Sequence, residues 1–332
     1  MNILVINLKK YFLTIIFTLF TFSLILFSDS NLVAAQNGIY LWATKVLPSL
    51  FPFLVAAEIL CKTNFTYLLG KLLNNFMRPL FNVPGESAIA IILGTISGYP
   101  IGAKVVCNLK QEKVISKIEA ERLIAYTNNS GPLFILSTVG IALFQNKRIG
   151  FILLVSHITS AILVAYFFKF WKYKHVEFSF NENKFNFKNM PIKLSNFGEI
   201  LSNAIKNAIS NILSIGGFIV IFSVILSILN SSGFINLISS FLSILGIPIN
   251  ISMAFLTGIV ELTNGVSLSS KLYENYHLIS ILLTSFLLGF AGISVLFQVY
   301  SIISKENISI KPYIIGKILQ GLFSSIITFI LI

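Results

Sequence analysis

The sequence predicts an all-α, polytopic membrane protein built as an inverted-topology repeat with two re-entrant helical hairpins. Three observations lead there. The 332-residue chain is 55% hydrophobic and only 11% charged, with a mean hydropathy of +0.86. A soluble domain is roughly 45–50% apolar and about 25% charged, and a large part of its surface must stay polar to face water. The apolar residues also lie in long uncharged runs. That is the pattern of helices in lipid, where every backbone amide and carbonyl must find a partner within the protein. Lastly, two apolar segments are broken by Gly, Pro, Asn or Glu at matching places in two similar halves. The same composition excludes a soluble enzyme, a secreted disulfide scaffold and a disordered tail.

Taken in order, Tyr11 to Ser28 is the first span, and Lys9-Lys10 before it place the amino terminus in the cytoplasm. Val33-Ala34-Ala35 resembles a signal-peptide cleavage site. The preceding apolar run is long for a signal sequence and suits an uncleaved anchor. Pro48 to Cys61 returns towards Lys62, Lys71 and Arg78. Leu123 to Asn146 and Ile149 to Phe168 form a further pair. Residues 169–206 carry seven Lys and three Glu and read as a basic cytoplasmic linker. Asn207 to Val260 has no charge and supplies one crossing plus a neutral outer loop. Leu278 to Ile303 and Pro312 to Ile332 complete about seven spans, an expectation set by the length of about 20 residues that a spanning helix needs.

Two segments do not read as simple spans. Ile89 to Leu109 is interrupted by Ser97-Gly98-Tyr99-Pro100-Ile101-Gly102, and Ile251 to Ser270 by Glu261-Leu262-Thr263-Asn264-Gly265. Proline lacks an amide donor and glycine lacks Cβ, so the first string is a turn between half-helices. Pro48 precedes Ser97 by 49 residues, and Ile212 precedes Glu261 by the same 49. Later breaks, Asn128 to Pro132 and Gly289 to Ser294, follow at similar intervals. The chain thus divides into an anchor and interfacial segment (1–47), a first repeat (48–168, hairpin 89–109), the linker (169–206) and a second repeat (207–332, hairpin 251–270). The basic flanks give the two units opposite orientation. In transporters such breaks meet near the midplane, where unpaired backbone groups serve a solvated binding site.

These breaks supply the candidate site. Ser97, Gly98, Tyr99, Asn128, Asn129, Ser130, Asn264, Gly265 and Ser294 are the expected solute-binding residues. Glu261 is the expected coupling or gating group, because a carboxylate inside a membrane usually marks an ion or substrate path. Its alternative is a neutral acid nearer the membrane surface, hydrogen-bonded to Thr263 or Asn264. Glu58 is either an interfacial residue reaching Lys62 or a coupling group. Lys104 either attracts an anion or reaches the cytoplasmic interface, and His157 is an interhelical donor or a proton relay. Glu119 and Arg122, three residues apart, read as a helix-face pair. Gly140 and Gly216-Gly217 read as helix-packing residues. Cys61, Cys107 and the three histidines are too scattered for a disulfide framework or a metal-binding motif. The net charge of +12 reads as a topology signal, not as a nucleic-acid surface. No cofactor is expected, and a coupling proton, sodium or calcium ion is left open. No nucleophile and base stand near each other in sequence, so an intramembrane enzyme is not expected.

Several stretches carry a family resemblance: LWATKVLPSLFPF (Leu41 to Phe53), MRPLFNVPG (Met77 to Gly85), SGYPIGAK (Ser97 to Lys104), IEAERLIAYTNNSGPLF (Ile118 to Phe134) and NILSIGGFIVIFSVI (Asn211 to Ile225). Together they resemble the YlbJ-type sporulation integral membrane proteins, which belong with the gate, or nucleoside-recognition, membrane proteins. Gly131 departs from the Asn or Ser usual before the proline in that family. The resemblance implies a fold similar to concentrative nucleoside transporters. It also implies a place in the outer forespore membrane and a role in moving dipicolinate from the mother cell towards the spore. The expected partners are a small solute and the bilayer, with a homo-oligomer or other sporulation membrane proteins as further ones. A nucleoside-type carrier and a non-transporting scaffold docked through the basic linker are the competing expectations.

Overall fold

The computed structural model describes residues 2–61, 65–172 and 197–332, and every regular element in them is a helix. Residues 173–196, most of the expected basic linker, and Lys62 lie outside the described residues. Helix α1 (Asn2–Leu26) is followed by α2 (Ser28–Leu41), and their apolar parts meet at 100°. A π-turn at Trp42–Val46 leads α2 into α3 (Leu47–Cys61), and both pack along α9 (Phe197–Ser231). Two glycines allow that approach. A Cβ at Gly38 would lie 3.1 Å from the Val220 backbone, and Gly216 leaves room for the Trp42 ring. The indole N–H of Trp42 donates to the Ile212 carbonyl at 3.0 Å.

The amphipathic α4 (Phe65–Phe81) turns through 90° into the segment holding α5 (Ala88–Ile96). Helix α6 (Ile101–Gln111) folds back on α5 after Ser97–Pro100, with Gly98 at φ 84° and a cis Tyr99–Pro100 peptide. Helix α7 (Lys117–Thr127) begins with a reciprocal capping box between Ser116 and Glu119. It ends at Asn128, a π-helix spans Phe134–Leu143, and α8 (Lys147–Phe168) starts on an Asn146 side-chain cap. After α9 come the short α10 (Phe234–Ile244), α11 (Ile249–Val260), α12 (Leu262–Lys271), α13 (His277–Phe290), α14 (Gly292–Ile303) and α15 (Lys311–Leu331). The order of an apolar helix, an amphipathic helix, two short helices, a broken helix and a closing helix therefore occurs twice.

Four described helices are long and apolar enough to cross a membrane, or up to six if each bent pair counts as one span. The expected seven spans are corrected accordingly. The main reason lies in Leu123 to Asn146, which is uncharged yet divided at Asn128 into the end of α7 and a ten-residue π-helix. Hydropathy registers apolar content, whereas a single helix of spanning length also needs backbone continuity, which Asn128 interrupts. The closing helices α8 and α15 lie side by side, and α15 also packs on α7 and α13. One apolar core surrounds α5, α6 and α7, and a second joins the π-helix and α8 to α12 and α13. Tyr99 borders both. Large apolar side chains such as Phe17, Phe22, Phe151, Phe241 and Phe329 are exposed. That outer surface suits hydrocarbon and would be untenable in water.

The Glu119 and Arg122 pair is resolved differently from its expected form. Glu119 holds Arg78 at 3.2 Å. The Arg122 guanidinium reaches the Asn82 carbonyl at 2.8 Å and the Trp171 carbonyl at 2.9 and 3.0 Å. Glu121 takes Lys172 at 2.8 Å and the Trp171 indole at 3.1 Å. Together these bonds clamp the end of α4 and the residues just after α8 to α7.

Candidate functional site

The first break forms because Asn128 leaves the helix in an extended conformation (φ −97°, ψ 99°). The hairpin of α5 and α6 then closes around the freed backbone. A Cβ at either Gly94 or Gly102 would collide with the Thr127 carbonyl oxygen, so both glycines serve close approach. At the hairpin tip, a Cβ on Gly98 would stand 3.2 Å from the Gly131 amide. Side chains complete the seating. Asn128 Oδ1 accepts the Ala103 amide at 2.8 Å. Asn129 Nδ2 donates to the Tyr126 carbonyl at 2.9 Å and to Thr95 Oγ1 at 3.3 Å. The Tyr99 and Ser130 hydroxyls meet at 2.7 Å, and the Ser130 amide donates to His157 Nε2 at 3.0 Å.

Helix α15 enters this break from the second half of the chain. Lys317 Nζ donates to the Asn128 carbonyl at 2.9 Å and to Gln320 Oε1 at 2.6 Å. Gln320 Nε2 donates to Asn129 Oδ1 at 2.8 Å and to the His157 carbonyl at 3.4 Å. Lys317 and Gln320 are both buried and were not among the expected site residues. The signal for them was present: a lysine and a glutamine three residues apart share one face of an otherwise apolar span. Lys317 follows Lys311 closely enough to pass for part of a basic flank.

The second half likewise pairs a hairpin turn with a broken helix. Glu261 (φ −142°, ψ 119°) separates α11 from α12, and its carboxylate caps α12. Oε1 accepts the Thr263 amide at 3.0 Å, while Oε2 accepts the Asn264 amide at 2.8 Å and the Asn264 side chain at 2.9 Å. This arrangement suits an ionised carboxylate, since every partner is a donor and the N-terminal end of a helix favours negative charge. Ala291 and Gly292 break the next helix at φ 74° and 83°. A Cβ on Gly292 would lie 3.1 Å from the Gly258 carbonyl and 3.2 Å from the Leu262 amide. In both halves, therefore, a hairpin turn meets the break in the helix that follows.

The expected site residues are thus distributed unevenly. Ser97, Gly98, Tyr99, Asn128, Asn129 and Ser130 gather at the first break. Glu261 lies close enough to Tyr99 for its charge to act on the phenol, and Leu262 shares an apolar cluster with that ring. Gly265 packs directly against Gly258, and a side chain at Gly265 would collide with that backbone. Asn264 is exposed, with its amide bonded to Glu261. Ser294 is buried on α14. His157 turns out to be an acceptor of the Ser130 amide. Gly140 packs on Gly150, as its packing role anticipates.

Glu58 and Lys104 find each other. Their charged atoms stand 3.9 Å apart, and Asn207 Nδ2 donates to Glu58 Oε2 at 3.1 Å, so α3, α6 and α9 are joined. Beside them is a cavity of about 30 Å3 lined by Pro100, Lys104, Asn211, Ser214, Gln298 and Ser301, among others. A water needs roughly 10–15 Å3 measured this way, so the space takes about two waters and not an aromatic ring. None of the expected site residues lines it. Because Lys104 is 31% exposed, solvent weakens the pair. A double-mutant cycle of Glu58→Gln and Lys104→Met is expected to return a coupling of about 1 kcal/mol. Thermal midpoints in detergent give the measurement, and strictly additive losses would show the pair to be idle.

Comparison with known proteins agrees with this architecture. A family model described as Gate, nucleoside recognition, matches residues 43–170 and 212–306, which include both hairpins and both breaks. The sporulation integral membrane protein YlbJ of Bacillus subtilis (strain 168) is 32% identical to the chain over 343 aligned positions, covering 98% of this chain and 84% of the relative. No solved structure matches. The two matched blocks coincide with the two runs of helices in which a hairpin meets a broken helix, and on that basis the chain belongs to the YlbJ-type sporulation membrane proteins of the Gate family.

Proposed function

We propose that this protein is a carrier for a small anionic aromatic solute, working by alternating access of two halves with inverted topology. One observation carries the reading: buried polar groups from both halves meet at interrupted helices inside an apolar bundle. Lipid does not tolerate such interruptions unless they are shielded, and carriers use them to hold solutes. The repeated helix order supports the inverted repeat and the similarity to concentrative nucleoside transporters. Dipicolinate is the solute the relative's sporulation role favours, with the outer forespore membrane as the location and the amino terminus in the cytoplasm. A planar dianion suits backbone amides at helix ends, and Tyr99 offers a flat ring for stacking. Glu261, whose charge would repel a dianion, serves coupling or gating in this reading. Asn264 and Gly265 then act through the second hairpin, and Ser294 lines the opened path.

Full-length protein reconstituted in vesicles is expected to accumulate labelled dipicolinate above protein-free vesicles. Imposing proton, sodium and calcium gradients in turn identifies the coupling ion. Uptake of labelled nucleosides in place of dipicolinate would transfer the reading to a nucleoside carrier. Absence of uptake for both solutes under all gradients would favour the scaffold.

A further inference from the structure

The groups left without partners at the first break share one property. Asn128 Nδ2, His157 Nδ1 and the hydroxyls of Ser97, Tyr126 and Thr127 are buried without a hydrogen-bond partner among the described residues, and each of them can donate. Two of these assignments are set by the backbone. Asn128 Oδ1 already accepts the Ala103 amide, so its nitrogen is the free end. His157 Nε2 accepts the Ser130 amide, so a neutral ring carries its proton on Nδ1. Beside them stands Lys317, 2% exposed, with two of its three N–H donors on the neutral oxygens of Asn128 and Gln320. Its charge reaches the His157 ring. Among the described residues, the ion pairs join Arg78, Lys104, Lys110 and Lys172 to Glu119, Glu58, Glu306 and Glu121, and none involves Lys317.

A buried cation without an anion is strongly unfavourable, and a surplus of unpaired donors adds to that. The carbonyl end of α7 offsets part of it, since Asn128 continues that helix's C-terminal end. What complements the remainder is a group that carries negative charge and only accepts hydrogen bonds. A carboxylate is such a group. We propose that Lys317 is the charge-selecting residue of the solute site: its ammonium pairs with a carboxylate of the bound solute, while Asn128 Nδ2 and His157 Nδ1 donate to the same anion. The burial of Lys317 describes the closed site, and the anion reaches it when the halves part. This inference rests on the transport reading for the identity of the solute, but not for its charge.

The test is binding to the purified full-length protein in lipid nanodiscs, by calorimetry, with dipicolinate and its uncharged diamide as probes. Lys317→Met is expected to weaken dipicolinate binding by at least about thirtyfold, as for other buried charge pairs that lose one partner. Diamide binding is expected to stay unchanged, and Lys317→Arg to retain part of the dipicolinate affinity. The diamide separates this role from a structural one, because Lys317→Met also orphans the Asn128 and Gln320 oxygens and so costs stability in either case. A purely structural lysine would lower diamide and dipicolinate affinity alike. Equal dipicolinate affinity in parent and Met variant would overturn the inference. If the parent binds no dipicolinate, the proposed solute is wrong, and benzoate and phthalate become the probes. Carboxylate binding that the Met variant loses upholds Lys317 as the receptor, and a parent that binds no carboxylate refutes it.

Discussion

Glu261→Ala is expected to lower dipicolinate uptake in vesicles at least about tenfold, the scale of losing one charged interaction worth 1.5–3 kcal/mol. Two roles meet in this side chain. As a cap it accepts three hydrogen bonds at the start of α12, and losing a cap costs about 0.5–2 kcal/mol of stability. As an anion it sits at the turn of the second hairpin, within electrostatic reach of Tyr99 at the first. Glu261→Gln separates the two, because its amide oxygen can still accept one backbone amide but carries no charge. The proposed coupling role predicts that the Gln variant keeps most of the parent's thermal midpoint and loses uptake as fully as the Ala variant. Parental uptake in the Gln variant would reduce Glu261 to a helix cap.

The largest loss of stability is expected from Gly102→Ala. A methyl group there collides with the Thr127 carbonyl and stands 3.1 Å from Asn128 Oδ1, the atom that accepts the Ala103 amide. Neither obstacle is the end of a flexible side chain, because the carbonyl is backbone and the amide is held in its bond. The hairpin must back away from α7. That withdrawal breaks the Asn128 and Tyr99 contacts and opens the core around Ile101, Ala103 and Leu123, which are almost fully buried. Overpacking of this kind costs roughly 1–3 kcal/mol, and a buried donor left without a partner adds about 1–3 kcal/mol. The midpoint in detergent should fall steeply and uptake should vanish. Gly217, expected from the sequence to pack against a neighbouring helix, instead faces open space, where a Cβ would meet nothing within 4 Å, so Gly217→Ala provides the control. A Gly102→Ala protein as stable as that control would mean the hairpin is not seated as described.

Much of this arrangement can be read along the chain. The breaks at Ser97–Pro100, Asn128–Gly131, Glu261 and Ala291 fall on segments whose composition marks them. Asn and Glu compete for backbone partners, and Gly and Pro disfavour a continuous helix. The bending of α2 away from α1 is less legible. Charge counts bear on orientation but not on the 100° turn between α1 and α2. Helix length among the described residues gives four to six spans in place of about seven, because an uncharged stretch and a single long helix are different properties, and Leu123 to Asn146 has only the first.

By itself, then, the sequence determined that this chain resides in a membrane, that it is helical, and where its helices break, because all three follow from residues near one another. Which groups occupy the breaks was decided by the tertiary structure. Lys317 lies 189 residues from Asn128, and Gln320 lies 191 from Asn129. Read along α15, Lys317 looks like the end of a basic flank. In the folded chain it is a buried amine bonded to the Asn128 and Gln320 oxygens, beside donors that have no partner among the described residues. Hydrogen bonds act over about 3 Å, so contacts formed across such long intervals depend on how α15 packs against α7 and α8.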